Sequence, residues 1–279
     1  MQEKYYISPE EFLKRTKIPT RVVESEDVMY EEMAELTVRT IEENNSRGEK
    51  TVVICPVGPT RQYPIIAEKI NKRNVDLKNC WFINMDEYLN DNDEAISYES
   101  PLSFHATMDR QLYSAIRPEL LMPKEQRLFP EPGKEKQIDD LIESLGKVDL
   151  CLTAVGINGH IAFNEPASPT DDITDEEYKR LGTRILDISR DTIVNNGAHK
   201  VHGALDAFPK RCITLGMKQL LKAKVFKIYL AADWQWGIAR KISLENESRF
   251  APASFLQSHP NAEMVISEDL KNTQLKRLD

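Results

Sequence analysis

The chain predicts an α/β fold, a doubly wound and mostly parallel sheet with helices on both faces, and three observations carry that expectation. Short apolar runs rich in Val and Ile alternate with longer amphipathic stretches along the whole length. Two of those runs, Thr51–Cys55 (TVVIC) and Val148–Val155, are almost free of polar residues, as strands buried on both faces must be. After the second run come Gly156 and Gly159, then His160, Asn164 and Glu165, and Pro166 closes the segment. Open α/β sheets bind their ligands just beyond the carboxyl ends of strands, so these polar groups fall where chemistry is expected.

Taken in order, Ser8-Pro9 opens a short helix over 8–15, and Thr20–Val23 is a small strand. Ser25-Glu26-Asp27 leads into a helix over Val28–Asn45, with Met29, Met33, Leu36, Val38 and Ile41 near helical spacing. Strand Thr51–Cys55 is followed by the loop Pro56-Val57-Gly58-Pro59-Thr60 and a helix over Tyr63–Asn74. Trp81–Met85 is the next strand and ends at Asp86-Glu87-Tyr88. A polar loop, a helix across 102–116, a proline-rich connection from Pro118 to Gly133 and an amphipathic helix over 134–145 precede the central strand.

Beyond it, 170–182 is acidic and helix-like, and Thr183–Ser189 reads as a strand. Cys212–Gly216, a helix to Lys222, strand Val225–Ala232, helix Gln235–Asn246 and strand Met264–Ser267 complete the alternation. No repeat or linker interrupts it, so residues 1–279 are expected to form a single domain.

Bulk properties narrow the function. A net charge of −8 argues against a general nucleic-acid binder, and means that an anionic ligand needs a locally positive site. The longest apolar runs fall short of the roughly 20 residues of a membrane helix, and the first residues lack an apolar signal core. Cys55, Cys80, Cys151 and Cys212 have no C-x-x-C spacing and sit in apolar runs, which reads as reduced core thiols in a cytoplasmic protein. No His/Cys cluster has zinc spacing, so no metal is expected.

Asp86 ends a buried strand, where a carboxylate projects into a cleft or, with Glu87, caps a following helix. His160 directly follows a Gly-x-x-Gly turn, and is either an acid/base group with Glu165 as partner or a core histidine with a satisfied hydrogen bond.

NMDEY (Asn84–Tyr88), GxxGHIAFNEPAS (Gly156–Ser168) and TRI (Thr183–Ile185) together resemble the glucosamine-6-phosphate deaminase (isomerising) family. ESPLSF (Glu99–Phe104), FPK (Phe208–Lys210) and SHPNAEMVIS near the end agree in order, so the similarity spans roughly residues 30 to 270. The resemblance implies a Rossmann-like fold and conversion of an aminosugar 6-phosphate to a ketose phosphate with loss of ammonia. It implies no metal or organic cofactor and, since many members are hexamers, a homo-oligomer.

It assigns Asp86 as the base that moves a proton between C2 and C1, and His160 as the ring-opening acid/base with Glu165 and residue 158 beside it. Gly58, Thr60, Glu87 and Gly159 are further substrate-binding candidates, joined by Arg61 as this chain's own replacement for a missing phosphate contact.

The chain also departs from that family. Residue 158 is Asn where most deaminases carry Asp, and an amide can turn either its oxygen or its NH2 to the ring. An Asp→Asn change of this kind costs a serine protease about 10⁴ in rate through the wrong tautomer.

In the phosphate loop, Val57-Gly58-Pro59-Thr60 replaces a Thr-Gly-Gly-Thr pattern, and Pro59 removes one N–H donor. Two basic phosphate contacts fall at Trp236 and near Ala198, leaving Arg61, His199, Lys200 and Arg240 as replacements, Arg61 the best placed. Trp234 and Trp236 would not share a helix face. Leu186 stands where the family's effector-binding lysine would be, although Ser168 and Arg184 match, so that regulation is not expected.

Two other readings stay open. One is a non-catalytic sugar-phosphate-binding protein on the same fold, motivated by Asn158 and the altered loop. The other is a 6-phosphogluconolactonase-like hydrolase, against which Tyr88 counts, because that relative has Arg there.

Overall fold

A computed structural model describes residues 3–275. Its elements run α1 (Pro9–Arg15), β1 (Thr20–Val23), α2 (Glu26–Ser46), β2 (Thr51–Cys55), α3 (Gln62–Arg73), β3 (Cys80–Asn84), β4 (Asp86–Leu89), α4 (Phe104–Gln111), β5 (Arg127–Leu128) and α5 (Glu135–Leu145). The second half adds β6 (Val148–Thr153), α6 (Asp175–Lys179), β7 (Arg184–Asp187), α7 (Arg190–Lys200), β8 (Arg211–Thr214), α8 (Met217–Leu220), β9 (Ala223–Leu230), α9 (Gln235–Leu244), β10 (Ala262–Ser267) and α10 (Glu268–Lys271).

Seven strands form one sheet in the order β1-β10-β9-β6-β2-β3-β5, and its pairings are parallel. Strand alternation divides the core between its two faces. Val52 and Ile54 point into a cluster with Phe12 of α1, Ile142 of α5 and Trp236 of α9. Val53 and Cys55 point to the other side, against Met33 and Val38 of α2 and Ile66 and Ile70 of α3. Asp149, the one charge within β6, accepts the Val52 N–H at 2.9 Å and pairs with Lys147 at 3.1 Å, which makes its burial tolerable. All four cysteines are buried and unpaired.

β2 and β6 are neighbours, yet the chain leaves β2 toward β3 and leaves β6 toward β9. The crevice above their carboxyl ends is therefore the switch point of the sheet, the place where such folds open a binding cleft.

A second, three-stranded antiparallel sheet, β4-β8-β7, stands beside the first and was not expected. Met85 joins the two: its N–H donates to Cys55 O at the end of β2, and its carbonyl accepts from Leu215 N just past β8. α7 was likewise unforeseen. Its sequence, with a glycine and two asparagines, has a weak helical pattern, and the helix is started by Ser189, whose hydroxyl accepts the Thr192 N–H. The acidic stretch 170–182 contains only the short α6 as α-helix, and the helix expected over 102–116 stops as α-helix at Gln111.

Candidate active site

A cavity of about 250 Å³ opens at the switch point. The loop after β2 (Pro56–Gly58), Met85 and Asp86, which opens β4 rather than ending β3 as the sequence suggests, the turn after β6 with Gly156 and His160, Asn195, Asn196 and Lys200 of α7, and Trp234 and Gln235 at the start of α9 all line it.

His160 is held from behind. Its Nδ1 lies 2.8 Å from Asn158 Oδ1, 3.2 Å from Thr192 Oγ1 and 3.5 Å from Glu165 Oε2. Asn158 Nδ2 donates to Glu165 Oε2 at 2.7 Å and to Ser189 Oγ at 3.0 Å. Glu165 Oε1 accepts the Ser189 N–H at 3.2 Å. Burial opposes ionisation of Glu165, but His160 and the hydrogen bonds from Asn158 and Thr192 outweigh it and hold its carboxyl down at about 2.

Gly156 is required here, since a Cβ would stand about 2.0 Å from the His160 ring. Gly159 adopts φ +95° to close the turn, with the Ala251 backbone against it, and does not line the cavity.

Asp86 has the opposite surroundings. It is 6% exposed and no hydrogen bond to its carboxylate is found among the described residues. Burial first, then the charge of Glu87, push its pKa up to about 8, with Lys200 pulling the other way. The Lys200 ammonium lies 5.4 Å over the Tyr88 ring and 5.1 Å over Phe104, beside Asp86, although Lys200 as a whole residue is exposed. Desolvation lowers its pKa, and Asp86 and Glu87 oppose that.

Several expected binding positions lie elsewhere, each for a physical reason. Glu87 points away from the cavity and caps α4, accepting N–H bonds from Phe104 (3.1 Å) and His105 (2.9 Å). Arg61 pairs with Glu26 and Asp27 and stacks 4.7 Å over Tyr30, so it and Thr60 face a separate surface groove. Arg240 is buried, donating to Lys4 O and Ile7 O. Trp236 is core, edge-on to Phe12, while Trp234 lines the cavity. Arg184 is engaged with Asn164 Oδ1 at 2.8 Å.

Of the expected site residues, Asp86, His160 and Gly58 line the cavity, and Asn158 and Glu165 stand directly behind the histidine. Ser189, Thr192, Asn195 and Asn196 were missed. The Ser-x-x-Thr pattern at a strand end was the signal for the first two, as a helix start.

No family model matches the sequence. The glucosamine-6-phosphate deaminase of Rhodopirellula baltica is 30% identical over 220 residues, covering 75% of this chain and 78% of its own length. The chain belongs to the glucosamine-6-phosphate deaminase family. The enzyme of that name from Clostridium perfringens is 25% identical over 248 residues, covering 86% of this chain and 94% of its own.

Two solved structures agree in fold with this family member. A monomeric glucosamine-6-phosphate deaminase superposes with a TM-score of 0.77 at 22% identity, over 92% of this chain and 100% of that one. A 6-phosphogluconolactonase from Plasmodium vivax gives 0.64 at 14% identity, over 93% and 95%.

Proposed function

We propose that this chain is a deaminating aldose–ketose isomerase of a phosphorylated aminosugar of the glucosamine 6-phosphate type, working by acid–base catalysis. The observation that carries the reading is the pairing, across one cavity, of a desolvated carboxylate at Asp86 with an imidazole at His160 whose Nδ1 is already engaged. His160 opens the ring: it takes the proton of the anomeric hydroxyl and returns one to the ring oxygen as the C1–O5 bond breaks and the C1 carbonyl forms. Asp86 then removes the proton from C2 and delivers it to C1, while a proton passes from the C2 amine to O1, so that C1 becomes a hydroxymethyl carbon and C2 an imine. The resulting C2 imine is hydrolysed by water, giving the ketose phosphate and ammonia.

A carboxyl pushed up to about 8 suits this proton transfer, because a stronger base loses less driving force against a carbon acid, even though only about a tenth of it is ionised at pH 7. Among the described residues lining the cavity, Lys200 is the one Lys or Arg, and it supplies the local positive charge that an anionic substrate needs. Trp234 offers a flat apolar wall for the sugar. Four buried free thiols suit a reducing, cytoplasmic setting, and no helix among the described residues is long and apolar enough to cross a membrane. A homo-oligomer is part of the same reading, and sedimentation velocity tests it.

The reading is tested by ammonia release from glucosamine 6-phosphate, galactosamine 6-phosphate and the two unphosphorylated sugars side by side. Release from a phosphorylated sugar alone is the expected result. Release from an unphosphorylated sugar would remove the phosphate from the reading, and silence on all four with binding retained would overturn the enzymatic role.

A further inference from the structure

We propose that the cavity continues past Trp234 into a side pocket that takes a neutral, largely apolar ester group carried on the substrate's phosphate, so that a phosphodiester of the aminosugar is preferred over the free monoester. The kinetic consequences rest on the deaminase reading; the binding of such an ester does not.

The side pocket, of about 180 Å³, lies between the first two turns of α2, the loop after β2 and the start of α9. It shares Ala154, Trp234 and Gln235 with the catalytic cavity. The strand order decides which end of the sugar meets it. Asp86 follows β3 after a single residue and Trp234 stands beyond β9, with β2 and β6 between those two strands. With C1 and C2 at Asp86 and His160, a sugar extended along the cavity carries its C6 end toward Trp234.

The wall between the two spaces is unevenly held. Gln235 is fixed: its Oε1 accepts the N–H groups of Ala231 and Ala232, each at 3.0 Å, and its Nε2 donates to Val155 O at 3.1 Å. Trp234 is tied by its backbone N–H to Asp233 Oδ1 at 2.7 Å, while its indole has no hydrogen bond or ring contact among the described residues. The ring can therefore lie flat against a ligand that passes it.

Charge then decides what enters. Met29 and Met33 are buried beneath the side pocket, and Tyr30, Tyr229 and Pro59 line it as well. Thioethers adapt to irregular apolar groups. Among the described residues lining it, Glu26 is the one that carries a charge, and it is already engaged by Arg61 at 3.3 Å and by the Tyr30 hydroxyl at 2.9 Å. A phosphate gains nothing there and stays in the cavity with Lys200.

The cavity in turn suits a single negative charge. A phosphomonoester carries about −1.5 to −2 at pH 7. Lys200 is the one ammonium facing it, and Pro59 has no N–H to donate from the loop. A diester carries one charge and brings a second ester group, for which the side pocket supplies room and apolar surface.

The test compares ammonia release by the parent from glucosamine 6-phosphate, its methyl phosphodiester and its phenyl phosphodiester. The methyl ester removes one charge; the phenyl ester also fills the side pocket. The phenyl ester should exceed the methyl ester about tenfold or more in kcat/KM, and both should exceed the monoester. The gain should lie in KM, because the side pocket touches no reacting atom. Ala231→Val and Ala231→Phe fill the side pocket in steps and should bring the phenyl-to-methyl ratio down toward one. That ratio is read within each variant, so changes in folding or in the chemical step cancel.

A monoester that is the best of the three, a phenyl ester no better than the methyl ester, or a ratio indifferent to Ala231→Phe would each overturn the proposal. Calorimetric titration of Asp86→Asn with the same three compounds gives their affinities without turnover, and the same order is expected. Should none of the three release ammonia from the parent, the deaminase reading falls, while those affinities still decide the side pocket.

Discussion

The two walls of the cavity are built on opposite principles. On the His160 wall Nδ1 meets Asn158 and Thr192, and Glu165 behind it meets Asn158 and Ser189. On the Asp86 wall the carboxylate stands among Met85, Tyr88 and Phe104 with one ammonium nearby. The first arrangement fixes a direction, the second raises a proton affinity. A ring-opening group must present one nitrogen in one orientation, whereas a group that deprotonates carbon needs basicity, and starving it of hydrogen bonds provides that.

The contrast is broken most severely by removing the base. Asp86→Asn should cost about 10³–10⁴ in kcat with the fold intact, as measured by steady-state ammonia release and circular dichroism. The same variant should be more stable than the parent, which sharpens the comparison. Asp86 has a folded pKa of about 8, above the value of 3.8 from which it is raised, so between these values the native state holds a proton that the unfolded chain has lost. Stability therefore falls as pH rises through that window and the full penalty is present above about 8. Relative to the parent, Asp86→Asn should gain on the order of a few kcal/mol in urea unfolding at pH 8.5 and little near pH 4.

Smaller effects follow from the neighbours. On the proposed mechanism the parent's kcat/KM should rise with pH toward a plateau above about 8, because the C2 proton would pass to the ionised form of Asp86. Lys200→Gln, by removing the positive charge that opposes this upward shift, should move that limb to higher pH and raise KM for the phosphorylated sugar about tenfold. Arg61→Ala, outside both walls, should change KM less than about twofold and stability by under about 1 kcal/mol, since its ion pairs are exposed. A large effect at Arg61 would return the anion contact to the position that the sequence favoured.

What could be read in advance was the periodic part. Thr51–Cys55 and Val148–Thr153 are strands because continuous β-branched and apolar runs have no other way to be buried on both faces, and their order placed the cavity. The place of His160 and Asp86 at the cavity was legible through dense local motifs. Glu87 was misread because a carboxylate beside a catalytic candidate and a carboxylate capping a distant helix look alike until Phe104 and His105 are brought to it. Arg61 was misread because its competitors, Glu26 and Asp27, lie on another helix. The small antiparallel sheet escaped because β4 is only four residues long and follows β3 after a single residue. No local pattern announces that Asp86 pairs with Thr214.

Met85 gives that small sheet an influence out of proportion to its size. With its N–H tied to the end of β2 and its carbonyl tied to the residue after β8, it works as a rivet through two plates, and Asp86 is the next link of the chain. The height of the carboxylate over the cleft is thus set jointly by both plates. Repacking at Cys212 or Leu186, in the strands behind it, should shift the carboxylate relative to the cleft. A substitution behind the small sheet should therefore reach the cavity through the Met85 link without altering any residue that lines it.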